Sequence, residues 1–269
     1  MIKSCNNVFV IIIIKDIIIM EKNKKDKGKG DKMLAIKYIV YGLYMIIMRL
    51  RGIKRFFLEK IKGEEAAYLY GQKVFYKWSV FTIKVVGLNI TALGQENISN
   101  ETCVFMGNHQ SILDIPLLRY TTGRKIDLVA KEELLKVPVV GYWIKNLRCV
   151  AINRDNPREG IKAINKAIEY VKQGCSYVVF PEGTRSKDGK INEFKKGSLK
   201  IATKTKVKIV PFAIEGTSKA FEDTRKFIPQ DIKIIFGTPI EMEGISKEEE
   251  KTLNEEVFKI VNDLHNKIS

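Results

Sequence analysis

Histidine is almost absent from this chain: 2 residues among 269, His109 and His265. That scarcity excludes a histidine-rich metal centre, and no His/Cys/Asp cluster shows zinc-ligand spacing, so no resident metal or cofactor is expected. Cysteine is equally thin. Cys5, Cys103, Cys149 and Cys175 make no C-x-x-C pair, which argues against a zinc ribbon or a dithiol redox motif. Cys103 and Cys149 fall in strand candidates and Cys175 at a helix-to-strand turn, so reduced core or near-core thiols and a reducing, cytoplasmic setting are expected. Internal repeats are missing too. Acid is the minority charge, with 31 Asp and Glu against 47 Lys and Arg, a formal net charge of +16.

A nucleic-acid partner is the first reading of such a charge. Its distribution argues otherwise. Residues 33–76 carry eight Lys/Arg against three Glu, interleaved with long apolar and aromatic runs. That mixture suits an anionic membrane surface. Met33 to Met48 is apolar throughout except for Lys37 and is followed by Arg49, Arg51, Lys54 and Arg55; it sits at the short edge of what spans a bilayer. From Ala67 to about Val86, aromatics alternate with Lys73, Lys77 and Lys84, a pattern for an interfacial helix whose charges reach lipid headgroups. A monotopic helical pair over 33–86 is therefore expected, with a single true span by the first helix as the alternative.

Upstream, Val8 to Ile14 is a short apolar run that no small-residue cleavage site follows, which argues against a secretory signal. Glu21 to Lys32 is low in complexity and expected to be disordered. Residues 1–32 read as disordered or as an extension upstream of a start at Met33 or Met20.

From residue 87 to 269, strand and helix candidates alternate. Strands are expected at 102–107, 126–130, 149–153, 176–180, 207–214 and 232–237, and helices at about 112–121, 139–147, 157–173 and 195–204. Such alternation predicts a single α/β domain with a mostly parallel sheet flanked by helices. Ser246 and Glu249 form a capping box for a last helix, with Leu253, Val257, Ile260, Leu264 and Ile268 at helical spacing. His265 falls on the polar side of that stripe and is expected to be solvated.

His109 opens the run Asn108-His109-Gln110-Ser111-Ile112-Leu113-Asp114. A histidine with a carboxylate on its second ring nitrogen is the usual construction of a general base. On one continuous helix, residues five apart are rotated by about 140° and cannot meet. The pair works only if His109 leaves a strand on a tight loop and Asp114 enters the first turn of a helix, with Ser111 capping a helix that begins at Ile112. The bland alternative is a satisfied loop histidine beside a helical aspartate.

A second constellation, Phe180-Pro181-Glu182-Gly183-Thr184-Arg185-Ser186, follows the apolar strand candidate 176–180. In open α/β sheets that edge is where sites collect. Arg185 offers a planar fork suited to a phosphate monoester, and Glu182 could accept a hydrogen bond from a glycerol-like hydroxyl. An ordinary polar turn with a solvated Glu182–Arg185 pair is the alternative.

With these two blocks the chain resembles the 1-acylglycerol-3-phosphate O-acyltransferases and their glycerolipid acyltransferase relatives. Val150-Ala151-Ile152-Asn153-Arg154 looks like the family's second block, although Asn153 stands where aspartate is frequent, and Ile209-Val210-Pro211-Phe212-Ala213-Ile214 looks like its apolar-proline strand. The four blocks, in order, span about 110 residues, with similar surroundings over roughly residues 33–240. The His-x-x-x-Asp acyltransferases, one residue shorter between the pair, fit less well.

The resemblance implies that His109 takes the proton from the sn-2 hydroxyl of lysophosphatidic acid as that oxygen attacks an acyl thioester, with Asp114 orienting His109. Arg154 and Arg185 would hold the phosphate; Glu182, Gly183 and Thr184 would shape the glycerol site. Acyl carrier protein or coenzyme A would carry the donor, the product would be phosphatidic acid, and the setting would be the cytoplasmic face of the cell membrane. A thioester is already activated, so one base and good positioning can suffice. Two alternatives remain: another lysophospholipid or glycerol 3-phosphate as acceptor, and a non-catalytic protein that binds anionic lipid.

Overall fold

The computed structural model describes residues 29–153, 156–186 and 189–269. The readings made above for residues 1–28, and the role given to Arg154, lie outside those residues.

The first described element is the helical segment Lys29–Val86, broken at Gly63 (φ 84°, ψ 173°) into two arms, α1 (29–62) and α2 (64–86). The left-handed φ is one that a residue with a Cβ rarely adopts, and it lets the chain fold back on itself. The arms run antiparallel. Trp78 Nε1 donates to Tyr41 Oη (3.1 Å), the Tyr44 and Phe81 rings stack 3.7 Å apart, and Lys37 Nζ donates to the Val86 carbonyl (3.0 Å). The helix starts at Lys29, inside the stretch expected to be disordered, because extending a formed helix costs far less than nucleating one.

The two arms face different surroundings. In α2, Ala67, Tyr68, Val74, Phe75, Ile83 and Val86 are buried against the rest of the chain. Most large apolar side chains of α1 are exposed, among them Ile36 (60%), Ile46 (58%) and Ile61 (76%). The segment is long and apolar enough to cross a membrane by length and composition. Its first arm is also tied to the body, where Arg55 donates to the Asn146 carbonyl and side chain and Tyr142 Oη donates to the Gly52 carbonyl.

The body is a seven-stranded sheet in the order β1-β7-β6-β2-β5-β3-β4. Its strands are β1 (Leu88–Leu93), β2 (Cys103–Gly107), β3 (Ile126–Lys131), β4 (Val150–Ile152), β5 (Ser176–Val179), β6 (Lys208–Glu215) and β7 (Gln230–Phe236). All pairings are parallel except β6–β7. The α/β architecture thus agrees with the sequence reading. β1 is an addition: an edge strand whose alternating, half-polar residues pair with β7. Around the sheet lie α3 (Asp114–Thr121), α4 (Pro138–Asn146), α5 (Pro157–Lys172), α6 (Lys200–Thr205) and α7 (Lys247–Asn266).

The central strands β2, β5 and β6 carry the core, with Phe105, Tyr177 and Phe212 fully buried. Uninterrupted apolar runs suit strands covered on both faces. The Ser246–Glu249 capping box is present on α7. α3 begins at Asp114, two residues later than expected, and Ser111 Oγ accepts from the Leu113 N–H just ahead of it. His265 contradicts the sequence reading. It is buried, because α7 lies against β6 and turns that position toward Glu215.

Candidate active site

β2 ends at Gly107, and Asn108 fixes where the chain leaves the sheet. Its side chain accepts from the Ile214 N–H (2.8 Å) and donates to the Ile214 carbonyl (2.9 Å), so it extends the β2–β6 ladder by one step. His109 therefore emerges at the carboxyl edge of the sheet, beside the end of β5. Its ring stacks on Phe180, centroids 4.0 Å apart.

His109 Nδ1 lies 2.7 Å from Asp114 Oδ2, and the Asp114 side chain is fully buried. The same oxygen accepts from the backbone N–H groups of Gln110 (2.7 Å) and Ser111 (2.9 Å), while Oδ1 accepts from Thr217 Oγ1 (2.5 Å). Four donors converge on one carboxylate and fix its orientation. A carboxylate at Nδ1 directs the ring proton there and leaves the Nε2 lone pair free to act as a base. Since His109 and Asp114 lie in a loop and at a helix start, the five-residue spacing closes.

Glu182 is buried, and four groups donate to its carboxylate: the His109 N–H (2.9 Å), Ser186 Oγ (2.8 Å), and the Asn192 N–H (2.8 Å) and side chain (2.7 Å). The glycerol-binding role expected from sequence does not fit, because its acceptor positions are taken by the protein and it does not face the cavity. Glu182 instead ties the His109 loop to the loops at 186 and 192. A backbone bond from the Ser186 N–H to the His109 carbonyl (2.6 Å) closes the same clamp.

Gly183, Thr184 and Arg185 line a cavity of about 1560 Å³ together with His109. Gly183 has φ 68°, a left-handed backbone that favours glycine, and a Cβ there would approach the Lys195 side chain to 3.0 Å. Arg185 is half-exposed and pairs with Glu222 (2.9 Å), which Arg225 also contacts (2.6 Å). The other Glu222 oxygen accepts from the Ile112 N–H (3.1 Å).

Sequence reasoning missed Phe180 as the ring platform, Thr217 as the fourth donor to Asp114, Glu222 as the partner of Arg185, and Lys195 as a cavity-lining cation. Two signals were present: Gly216-Thr217-Ser218 follows the apolar strand β6 at the same sheet edge, and Phe194-Lys195-Lys196-Gly197 follows the 180–186 loop.

The cavity is mixed in character. Its lining combines the cations Arg185, Lys195 and Lys219 with the apolar Met45, Met48, Phe75 and Trp78 of the helical pair and Trp143 and Leu147 at α4. It exceeds the roughly 300–1,000 Å³ usual for small-molecule pockets. Such a space accepts a long apolar chain with an anionic head. Among the described residues no group of three or more His, Cys, Asp or Glu is arranged to hold a metal ion.

Comparison with known proteins places these features among relatives. A family model described as Acyltransferase matches residues 89–215. The chain is 38% identical over 151 residues to a chloroplastic 1-acyl-sn-glycerol-3-phosphate acyltransferase of Brassica napus, covering 55% of this chain and 44% of that protein. It is 34% identical over 155 residues to a counterpart in Arabidopsis thaliana, covering 57% and 43%. The chain thus spans somewhat under half the length of these curated relatives. The crystal structure of the 1-acyl-sn-glycerophosphate (LPA) acyltransferase of Thermotoga maritima matches with a TM-score of 0.75 and 32% identity, covering 88% of this chain and 94% of that one.

Proposed function

The chain belongs to the 1-acyl-sn-glycerol-3-phosphate acyltransferase family, and from that premise we propose that it moves a fatty acyl group from a thioester to the sn-2 hydroxyl of 1-acylglycerol 3-phosphate, forming phosphatidic acid. The observation that carries this reading is the 2.7 Å His109–Asp114 contact, with His109 lining a cavity whose walls are both cationic and apolar.

In this reading His109 Nε2 removes the hydroxyl proton as the oxygen attacks the thioester carbonyl. The tetrahedral intermediate collapses with cleavage of the carbon–sulfur bond, and the proton passes from His109 to the departing thiolate. Asp114 holds the imidazole in the required tautomer and stabilises the imidazolium. The acceptor phosphate is assigned to Arg185 and Lys195, with Arg154 as a third cation, and the acyl chains to the apolar wall. Thr184 and the Gly183 backbone border the glycerol position. The donor is acyl carrier protein or coenzyme A, both acidic partners for a basic surface.

The helical pair is assigned to the cytoplasmic face of the membrane. Lying in the interface, rather than spanning, is supported by the bonds of α1 to α2 and α4, which a transmembrane α1 would have to break. Phe56 and Phe57 are half-exposed on α1. Replacing both with Ser should weaken binding to anionic vesicles in co-sedimentation by about 100-fold or more, since two buried apolar side chains at roughly 1.5 kcal/mol or more each sum to about 3 kcal/mol. Unchanged sedimentation would remove α1 from the membrane contact.

The function is tested by acyl transfer with both donor types against lysophosphatidate, other lysophospholipids and glycerol 3-phosphate. Preference for lysophosphatidate is expected. Turnover with glycerol 3-phosphate alone would reassign the acceptor, and absence of turnover with every pair would leave a lipid-binding protein.

A further inference from the structure

Beside the base lies a second polar chain that the acyl-transfer steps do not use, and it ends on the only other histidine. Glu215, the last residue of β6, accepts from Gln110 Nε2 at 2.9 Å through Oε2, and His265 Nε2 lies 3.0 Å from that same oxygen. Gln110 directly follows His109, and its N–H is one of the four donors to Asp114. Its side-chain oxygen lies 3.4 Å from Thr217 Oγ1, the hydroxyl that donates to Asp114 Oδ1. The links therefore run from α7 through β6 and Gln110 to Asp114 Oδ2, while the single Thr217 proton goes to Oδ1 and its hydroxyl only packs against the Gln110 side-chain oxygen.

Burial makes these links rigid. Gln110, Thr217, Asp114 and His265 are each exposed by 7% or less. Glu215 is 23% exposed in its side chain, faces Lys219 at 3.6 Å, and with Gln110 borders the cavity. The bond from His265, ahead of those from Gln110 and the charges of His265 and Lys219, holds the Glu215 carboxyl down at about 2. Removing one partner of a buried, hydrogen-bonded charge disturbs every group that it orients.

We propose that His265 and Glu215 are positioning residues for the His109–Asp114 pair: together they lock the Gln110 side chain, and Gln110 with Thr217 sets the carboxylate that aims the imidazole. The proposal rests on the reading of His109 as the base. A displacement of about 1 Å in a reacting group can cost up to 100-fold in rate, so losing the His265 anchor, which reaches the base through Glu215, Gln110 and Asp114, should lower turnover.

The test uses the purified full chain in mixed micelles, with a thioester donor and lysophosphatidate. His265→Ala and Glu215→Ala should each lower kcat about 10-fold with a thermal transition still well above the assay temperature, and His265→Ala, which lies off the cavity, should leave KM for lysophosphatidate within about 2-fold. His265→Gln keeps an N–H for Glu215 and should recover kcat to within about 3-fold of wild type. Because the residues act in series, His265→Ala should cost nothing further in a Gln110→Ala background. If His265→Ala does not fold, Glu215→Ala carries the same test. Unchanged kcat in folded single variants, or losses that multiply in the double variant, would overturn the proposal while wild-type and His109→Ala activities still uphold the base. A wild-type protein without turnover would overturn both.

Discussion

Two buried carboxylates at opposite ends of the sheet meet opposite conditions. At the carboxyl edge, Asp114 accepts from an imidazole, two backbone N–H groups and a hydroxyl. At the amino edge, Asp127 in β3 accepts from Tyr68 Oη (2.7 Å) and Gln72 Nε2 (3.2 Å), both of α2, and more weakly from the Cys149 thiol at 3.8 Å. The Arg148 backbone N–H and guanidinium charge also favour its ionised form. Burial dominates there and pushes the Asp127 carboxyl up to about 6. Donors at one end orient a carboxylate behind a ring that borders a cavity; at the other, a carboxylate joins the helical pair to the sheet and bears the cost of desolvation. A buried acid is thus a mark of function only when its donors converge and its partner faces open space.

Asp114→Asn should break the catalytic end most severely. The amide presents N–H to groups that are themselves donors, so kcat should fall by about 100-fold or more with the fold retained. Steady-state kinetics beside thermal unfolding would check this. Glu182→Gln should cost about 10-fold in turnover and about 1–3 kcal/mol in stability, because one oxygen cannot serve all the donors that the carboxylate serves. Chemical unfolding monitored with activity separates the two losses.

Asp127→Asn should sharpen the contrast by leaving turnover within about 2-fold at pH 7 while changing the pH dependence of stability. The folded-state value lies above the unfolded one, near 4, so the native state favours the proton. The penalty is absent below about pH 4, grows between 4 and 6, and is complete above 6. The variant should therefore gain on wild type by about 2 kcal/mol as pH rises from 4 to 7, read from unfolding midpoints across that range. A flat difference would show that Asp127 is not titrating with folding.

Much of this was legible from local pattern. Short apolar runs alternating with helix candidates marked six of the strands, Ser246 with Glu249 marked the start of α7, and the five-residue spacing of His109 and Asp114 demanded the strand–loop–helix that is present. The misses are non-local. Glu182 looks available until Asn192 and the His109 N–H, 73 residues away, take its oxygens. His265 looks solvated on a helical wheel, which cannot register that β6 presents Glu215 to that face, 50 residues back in the chain. Gly63 reads as one glycine in a helical stretch, and only its backbone angles show a turn.

The most direct test of the central claim compares wild type with His109→Ala on lysophosphatidate, using acyl carrier protein and coenzyme A donors in parallel. The account predicts phosphatidate formation by wild type, a loss of at least about 100-fold in kcat for the variant, and unchanged binding to lysophosphatidate-containing vesicles. Full turnover by folded His109→Ala protein would contradict it.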